Sequence, residues 1–157
     1  MKNLLILIIT ILVFNCKGNT QKEPQKIYKV SKTEAEWKTQ LSEKEFYVLR
    51  KAGTERPFTS PLNKNYNAGI YACKACKTPL FKSENKFDSG TGWPSFDREI
   101  EGNVEFSTDY NLGYARTEEH CATCGGHLGH VFNDGPSKTT SKRHCINGVS
   151  LTFIPKK

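Results

Sequence analysis

The chain has 157 residues and a formal net charge of +7, with 36% hydrophobic and 25% charged residues. This length suits one domain with a modest core, so a multidomain chain and an intrinsically disordered chain are both disfavoured. Lys and Arg alternate with Glu and Asp instead of forming one basic stretch. We therefore expect no nucleic-acid partner.

The N-terminus has the pattern of a targeting segment. Lys2 supplies a positive charge, and residues 4–14 are apolar apart from Thr10. Such a run is too short to span a bilayer comfortably and has the length of a signal-peptide core. We predict a signal peptide over residues 1–15 and an exported mature protein.

Cys16 follows this segment and resembles the cysteine that is lipidated in bacterial lipoproteins, although Asn15 stands where a small residue is usual. We predict a lipoprotein anchored to a membrane and facing the periplasm. The alternatives are a cleaved signal, which leaves a soluble periplasmic or secreted protein, and an uncleaved anchor. Residues 17–26 carry no large apolar side chain, so we predict a flexible tether over residues 16–27 and a folded domain over 28–157.

Two short helices are predicted at the start of this domain. Ser31 with Glu34, and Ser42 with Glu45, have the spacing of a capping box. The second helix should stop at Gly53. The apolar side chains that we expect to face the core are Trp37, Leu41, Phe46 and Leu49.

From Gly69 onward the sequence changes to short alternating runs separated by Gly, Asn, Asp and Pro. This pattern predicts half-buried strands of an antiparallel sheet and a mainly β domain. The predicted strands cover residues 70–72, 104–106, 114–116, 128–132, 144–146 and 149–153.

Four of the six cysteines form two Cys-x-x-Cys pairs, which are Cys73/Cys76 and Cys121/Cys124. Two such turns can complete a tetrahedral zinc site, and four thiolates leave no open coordination position, so the metal would be structural. Export to an oxidising compartment leaves two local disulfides as one alternative, but so short a loop tends to be strained. A thioredoxin-like redox pair is the other, although strands and helices do not alternate as that fold requires.

Cys145 stands apart from these pairs. Arg143 and His144 precede it and could lower its pKa, and Asn147 would lie on the same face of a strand. A reactive nucleophile is one interpretation. The other is a buried cysteine that acts as a small apolar residue.

Two further fragments favour the reactive interpretation. His127 and His130 place two imidazoles three residues apart, and a Gly-rich loop over residues 90–96 presents Trp93. The alternatives are a second metal site for the histidines and simple core packing for Trp93.

Taken together, these motifs resemble the B-type methionine sulfoxide reductases, from the region of Trp37 to Phe153. The resemblance implies a mainly β fold of two antiparallel β-sheets with short N-terminal helices and a tetrathiolate zinc. The segments that carry it are residues 49–58, 71–73, 86–90, 92–96, 116–117, 127–132, 134–136 and 143–147.

The resemblance also implies the thiol-dependent reduction of methionine (R)-sulfoxide in proteins or peptides. The thiolate of Cys145 would attack the sulfoxide sulfur, and His130 or His127 would help to protonate the oxygen. Methionine would leave, and Cys145 would remain as a sulfenic acid.

The same resemblance assigns the surroundings of the substrate. Trp93 would contact its terminal methyl group, and Asn147 and His127 would lie on the polar side. Asp134 and Arg143 would act as supporting groups.

Two departures from the family pattern stand out. Many members carry a second cysteine where this chain has Thr91, and that cysteine forms a disulfide with the oxidised nucleophile. Once the four metal ligands and Cys16 are set aside, Cys145 is the only thiol left in the sequence. We therefore expect the Cys145 sulfenic acid to be reduced by an external, thioredoxin-like thiol. Separately, we expect the protein to be a monomer. The second departure is His144, where Tyr or Phe is usual.

Two other functions fit parts of the sequence. A secreted zinc-ribbon binding module would use the positive charge and exposed aromatic residues to bind an anionic partner, with Cys145 merely buried. A different thiol enzyme on the same scaffold would reduce or sense peroxide.

Overall fold

The computed structural model describes residues 26–157. The predicted signal peptide, Cys16 and the predicted tether up to residue 25 lie outside the described residues. At the start of the described chain, Lys26 Nζ lies 2.6 Å from Glu105 Oε1, and the Val30 N–H donates to the Thr123 carbonyl at 2.9 Å. Between residues 26 and 157 no helix combines the length and apolar character needed to cross a membrane.

Two helices open the domain, α1 (Glu34–Gln40) and α2 (Glu43–Lys51). The capping box at Ser42 is confirmed, because its side chain accepts from the Glu45 N–H and Glu45 accepts from the Ser42 N–H. The predicted box at Ser31 is wrong. Thr33 caps α1 and pairs with Glu36, whereas the Ser31 hydroxyl donates to the Tyr28 carbonyl before the helix begins.

The end of α2 differs from the prediction by one residue. Ala52 adopts the left-handed conformation with a φ of 51°, and the Gly53 N–H donates to the Tyr47 carbonyl at 3.1 Å. The inward-facing residues are confirmed, since four side chains of the two helices are at most 8% exposed: Trp37, Leu41, Phe46 and Leu49.

Within residues 26–157, nine strands form two antiparallel sheets, so the fold implied by the resemblance is confirmed. The smaller sheet has the order β2-β1-β9, and the larger has the order β3-β4-β8-β7-β6-β5. The strands are β1 (Gly69–Cys73), β2 (Pro79–Lys82), β3 (Lys86–Phe87), β4 (Ser95–Phe96), β5 (Val104–Asp109), β6 (Arg116–Cys121), β7 (His127–Phe132), β8 (Arg143–Ile146) and β9 (Leu151–Pro155).

The predicted strands fall near observed ones, with two shifts and three omissions. The run predicted over 114–116 only reaches the start of β6, and residues 148–150 form a 3-10 turn before β9. The strands β2, β3 and β4 were not predicted from the sequence. The last two have two residues each, too short for a periodic signal, and exist because they pair with each other and with β8.

An aromatic cluster between the sheets fixes the strand beside Cys145. The rings of Phe81 and Phe96 stack with centroids 4.4 Å apart, and Tyr71 packs edge-on against Phe96 at 4.9 Å. All three side chains are fully buried. Because Phe96 belongs to β4, the core holds the neighbouring Ser95 in register with Cys145.

The two candidate caps of α1 can be separated by stability measurements. Replacing Thr33 with Ala removes the side-chain acceptor of the Glu36 N–H and should lower the free energy of unfolding by about 1 kcal/mol. Ser31→Ala is the matched control and should cost less, because Ser31 lies outside the helix. Equal losses in urea unfolding would contradict the assignment of Thr33 as the cap.

Candidate active site

Cys145 lies at the centre of β8, which pairs with β4 on one side and β7 on the other. Its cross-strand neighbours are Ser95 and His130. The thiol lines a cavity of about 130 Å³ with walls that include Trp93, His130 and Asn147. Because strand pairing fixes the backbone on both sides, the thiol is held at one place in this cavity.

Gly129 permits the close approach of β7 and β8 at this point. A Cβ atom built at Gly129 would lie 2.0 Å from the carbonyl oxygen of Cys145, far inside a van der Waals contact. Any side chain here would push β7 away from β8. Gly129 was given no role from the sequence, and only the register of the two strands reveals one.

A chain of hydroxyl groups ends at the Cys145 thiol. Ser89 Oγ lies 2.7 Å from Ser95 Oγ and 2.8 Å from Thr91 Oγ1, and Thr91 Oγ1 lies 3.9 Å from Cys145 Sγ. Thr91 therefore places a hydroxyl group beside the Cys145 thiol.

The expectation of a lowered Cys145 pKa is wrong. Burial raises the pKa of the thiol, and this effect outweighs the opposite effects of the Thr91 hydroxyl and the Arg143 guanidinium. His144 contributes nothing here because it points to the other face of the sheet. There its Nδ1 lies 2.5 Å from Glu119 Oε1 and its Nε2 lies 3.3 Å from Glu99 Oε2.

His130 is held by an acidic partner that the sequence analysis did not identify. Its Nε2 lies 2.8 Å from Asp109 Oδ2, and the same carboxylate contacts Arg116. Hydrogen bonds from the Asn111 N–H and from His130 lower the pKa of Asp109 to about 2. Burial lowers the pKa of His130 despite this anion, so its imidazole is neutral at neutral pH.

His127 lies beside His130 because of an irregularity in β7. Residues three apart on a regular strand face opposite sides, but Leu128 is an extra residue opposite the Glu119/His120 step of β6. The two imidazoles consequently meet with ring centroids 5.6 Å apart. His127 Nδ1 lies 2.6 Å from Glu118 Oε1, and the ring lines a second cavity of about 230 Å³, next to that of Cys145.

Glu55 connects the remaining walls of the Cys145 cavity. Its carbonyl accepts from Trp93 Nε1 at 3.1 Å, and its N–H donates to Asn147 Oδ1 at 2.9 Å. Its buried carboxylate accepts from the N–H groups of Gly148 and Val149, while burial raises its pKa. No motif in the sequence pointed to this role, because the partners lie more than thirty residues away in the chain.

Arg143 and Asp134 form a bidentate ion pair next to the site. Arg143 Nε and Nη2 donate to the two carboxylate oxygens at 2.8 and 2.9 Å. The guanidinium also covers the ring of Phe132 at 4.4 Å from the centroid, and Phe132 lines the Cys145 cavity. The pair thus supports a wall of the cavity through Phe132.

The four paired cysteines converge at one end of the sheets. Their sulfur atoms all lie within 4.8 Å of one another, with 3.7 Å between Cys73 and Cys124 and 3.5 Å between Cys76 and Cys121. The two turns have the same form, because the residue after each pair has a positive φ, 64° at Lys77 and 66° at Gly125.

This sulfur cluster fits one metal ion and does not fit two local disulfides. In both of the close contacts just described, the two sulfur atoms come from different Cys-x-x-Cys turns. Cys73 ends β1 of the smaller sheet, and Cys121 ends β6 of the larger one. A metal bound here would therefore join the two sheets.

The SelR domain family matches residues 41–155. The chain belongs to this family, which confirms the resemblance to the B-type methionine sulfoxide reductases. A solved structure titled Mis18 "Yippee-like" domain is similar with a TM-score of 0.45 and 17% identity, covering 58% of this chain and 99% of that one, a likeness too low to bear on function.

Several relatives are similar over most of their length. Peptide methionine sulfoxide reductase MsrB of Alteromonas mediterranea is 52% identical, covering 76% of this chain and 84% of that protein. The protein of the same name from Agrobacterium fabrum is 50% identical over 81% of this chain and 94% of its own. Peptide methionine sulfoxide reductase B5 of Arabidopsis thaliana is 48% identical over 82% and 91%.

The contact between Thr91 Oγ1 and Cys145 Sγ should be measurable in the reactivity of Cys145. Because a hydroxyl that donates to sulfur favours the thiolate, Thr91→Val should move the pH midpoint of Cys145 alkylation upward. Alkylation by iodoacetamide, followed by mass spectrometry of the Cys145 peptide, measures this midpoint. Thr59→Val, in an exposed loop, is the control. An unchanged or lower midpoint in Thr91→Val would show that the hydroxyl does not stabilise the thiolate.

Proposed function

We propose that this protein reduces methionine (R)-sulfoxide in oxidised proteins or peptides to methionine, with Cys145 as the nucleophile. The observation that carries the proposal is the small cavity in which the Cys145 thiol lies with Trp93 and His130. Membership of the SelR domain family and the names of the relatives support the same reaction.

The proposed chemical step is balanced without a further reactant. The sulfur of Cys145 is oxidised as it gains a bond to oxygen, and the sulfoxide sulfur is reduced as its bond to oxygen breaks. The products are methionine and a Cys145 sulfenic acid, whose O–H proton is the one that the thiol gave up. Since burial raises the pKa of Cys145, the thiol still carries this proton before the substrate binds.

In this proposal His130 moves that proton from sulfur to oxygen. It is the cross-strand partner of Cys145 and lines the same cavity. Its neutral imidazole can accept a proton at one nitrogen and then donate it to the sulfoxide oxygen as the S–O bond breaks. His127 lines the neighbouring cavity and is hydrogen-bonded to Glu118. We therefore propose that it supports His130 and contributes to the polar side of the site.

The walls of the cavity account for the choice of one sulfoxide epimer. We propose that the methyl group packs on the indole of Trp93, which Glu55 holds in place. The oxygen would then lie towards His130 and Asn147. Asn147 Nδ2 already donates one hydrogen bond, to the Leu128 carbonyl, which leaves its second N–H for the substrate. Exchanging the oxygen and the methyl group would place oxygen on the apolar wall.

Regeneration of the thiol is proposed to need an external reductant. Thr91, the group beside Cys145, is a hydroxyl and cannot form a disulfide. Within residues 26–157 the other cysteines belong to the sulfur cluster. A thioredoxin-like thiol would attack the sulfenic acid, release water and then resolve the mixed disulfide.

We propose that the sulfur cluster holds a structural Zn²⁺ through Cys73, Cys76, Cys121 and Cys124. Four soft thiolates in tetrahedral proximity suit zinc, and they leave no position for a substrate. When bound, the ion would neutralise four sulfur atoms that otherwise repel one another as thiolates. It would stabilise the connection between the two sheets.

The cellular setting is proposed from the sequence pattern of residues outside the described structure. A signal peptide over 1–15, lipidation of Cys16 and a tether over 16–27 would hold the domain of residues 28–157 at a membrane surface facing the periplasm. A soluble periplasmic or secreted protein remains the alternative. A monomer on a tether could reach exposed methionine sulfoxide in neighbouring exported proteins.

Two cysteine variants should separate the chemical site from the metal site. Cys145→Ser should reduce turnover of an (R)-sulfoxide peptide with dithiothreitol to the background rate, because the nucleophile is lost, while metal content and thermal midpoint stay unchanged. Cys76→Ser should lose metal and lower the thermal midpoint, because three thiolates remain. An epimer-resolved assay and elemental analysis provide the readouts. Sulfoxide reduction by Cys145→Ser above the background rate would contradict the proposed function.

The absence of a partner thiol at position 91 can be tested by supplying one. Thr91→Cys should form an intramolecular disulfide with Cys145 after one turnover, because Thr91 Oγ1 and Cys145 Sγ are 3.9 Å apart. The unaltered protein should instead yield a Cys145 sulfenic acid that dimedone traps. Mass spectrometry of the Cys145 peptide distinguishes the two. A Cys145 disulfide within the unaltered chain would contradict the proposed one-cysteine cycle.

A further inference from the structure

We infer that Asp109 and Arg116 form a pair that positions His130 for proton transfer at Cys145, an inference that rests on the proposed reductase function. Both belong to a hairpin whose strands pair Asp109 with Arg116 directly. They would act through His130 and are therefore positioning residues.

The Asp109 carboxylate is fixed from three directions. The Asn111 N–H donates to Oδ1 at 2.7 Å, while His130 Nε2, at 2.8 Å, and the Arg116 guanidinium both contact Oδ2. Only 7% of the side chain is exposed. A carboxylate with this many donors has one orientation, so it can hold the ring of His130 at one angle.

This contact also determines which nitrogen of His130 carries the proton. A carboxylate only accepts, so the neutral imidazole places its N–H on Nε2 and leaves Nδ1 as the acceptor. His130 and Cys145 face each other across β7 and β8 and line one cavity. Nδ1 is thus the atom available to take the thiol proton. Without Asp109 the other tautomer would present an N–H, which cannot take it.

Arg116 belongs to the same arrangement. Its side chain lines both the Cys145 cavity and the neighbouring one. It is 18% exposed, and its Nε has no hydrogen-bond partner among the described residues. The guanidinium keeps Asp109 ionised and opposes the effect of that anion on the imidazole.

The charged and titratable groups around His130 come from four strands. Asp109 raises the pKa of His130, whereas burial, Arg116 and His127 lower it. The Glu118 carboxylate is engaged by His127 Nδ1 and by the Ser107 hydroxyl. The groups are Asp109 from β5, Arg116 and Glu118 from β6, His127 from β7 and Cys145 from β8.

If Asp109 and Arg116 position His130, neutralising either residue should shift the pH at which His130 titrates, in opposite directions for the two variants. General damage to the fold would not produce opposite shifts. Asp109→Asn removes the anion and should move the titration of His130 to lower pH. Arg116→Gln removes the cation and should move it to higher pH, and Arg116→Lys should return it towards the original value because the charge is restored. Both neutralising variants should lower the rate of the chemical step about tenfold or more while KM changes little.

The experiment uses the reduced, metal-loaded protein. The His130 imidazole is titrated by NMR, and the single-turnover rate with an (R)-sulfoxide peptide is measured across the same pH range. Glu105→Gln is the matched control, since it removes the same charge from the same strand but at a residue that pairs with Lys26 and His120. It should leave both the titration and the rate unchanged.

Two outcomes would overturn the inference. The first is a His130 titration that moves in the same direction in Asp109→Asn and Arg116→Gln, or that moves in neither. The other is a full single-turnover rate in Asp109→Asn. If a neutralising variant loses its metal or its fold, Arg116→Lys is compared with the unaltered protein instead. Because this variant keeps the positive charge, a large shift in the His130 titration would contradict the role of charge. If the unaltered protein reduces no sulfoxide, the proposed function fails, and the NMR titration alone decides how Asp109 and Arg116 act on His130.

Discussion

The position of β8 between β4 and β7 is the constraint on which the candidate site depends. Cys145 is the residue at which all three strands meet, since Ser95 and His130 flank it on either side. The approach of β7 is close enough that Gly129 tolerates no side chain. A shift of one residue in either pairing would turn the thiol to the opposite face of the sheet, where His144 now lies.

The sulfur cluster and the aromatic core both support this arrangement, and both belong to one buried core. The core packs Phe96 against Phe81 and thereby fixes β4, the strand on one side of Cys145. The cluster joins the turn after β1 to the turn after β6, and β6 pairs with the strand on the other side. A metal bound there would stabilise the larger sheet without taking part in the chemistry.

Burial, more than nearby positive charge, sets the electrostatics around the thiol. It raises the pKa of Cys145 and lowers that of His130, so both groups are uncharged at neutral pH. This state suits a reaction in which the thiol gives oxygen the same proton that it loses. The ionised groups beside the site occur as pairs, Asp109 with Arg116 and Asp134 with Arg143.

Local patterns in the sequence were enough to predict the mainly β fold, two short helices with the cap of the second, the two Cys-x-x-Cys turns and Cys145 as the isolated thiol. The capping box at Ser42 and the turn at Gly125 follow from a few neighbouring residues, because such hydrogen bonds close within one turn of chain. The family resemblance placed Thr91, Trp93 and the two histidines in one site. Residues 1–25 carry sequence predictions alone.

Tertiary structure decided what depends on pairing between distant segments. β3 and β4 have two residues each and exist only through their partners, and the cap of α1 fell on Thr33 although Ser31 offered the same spacing. The roles of Glu55 and Asp109 were invisible in the sequence for the same reason. The pKa of Cys145 was predicted in the wrong direction, because burial raises it by more than Arg143 lowers it, and alternation along β8 puts the imidazole of His144 on the other face. The sequence determines which chemical groups are present, and burial and strand register determine which of them meet.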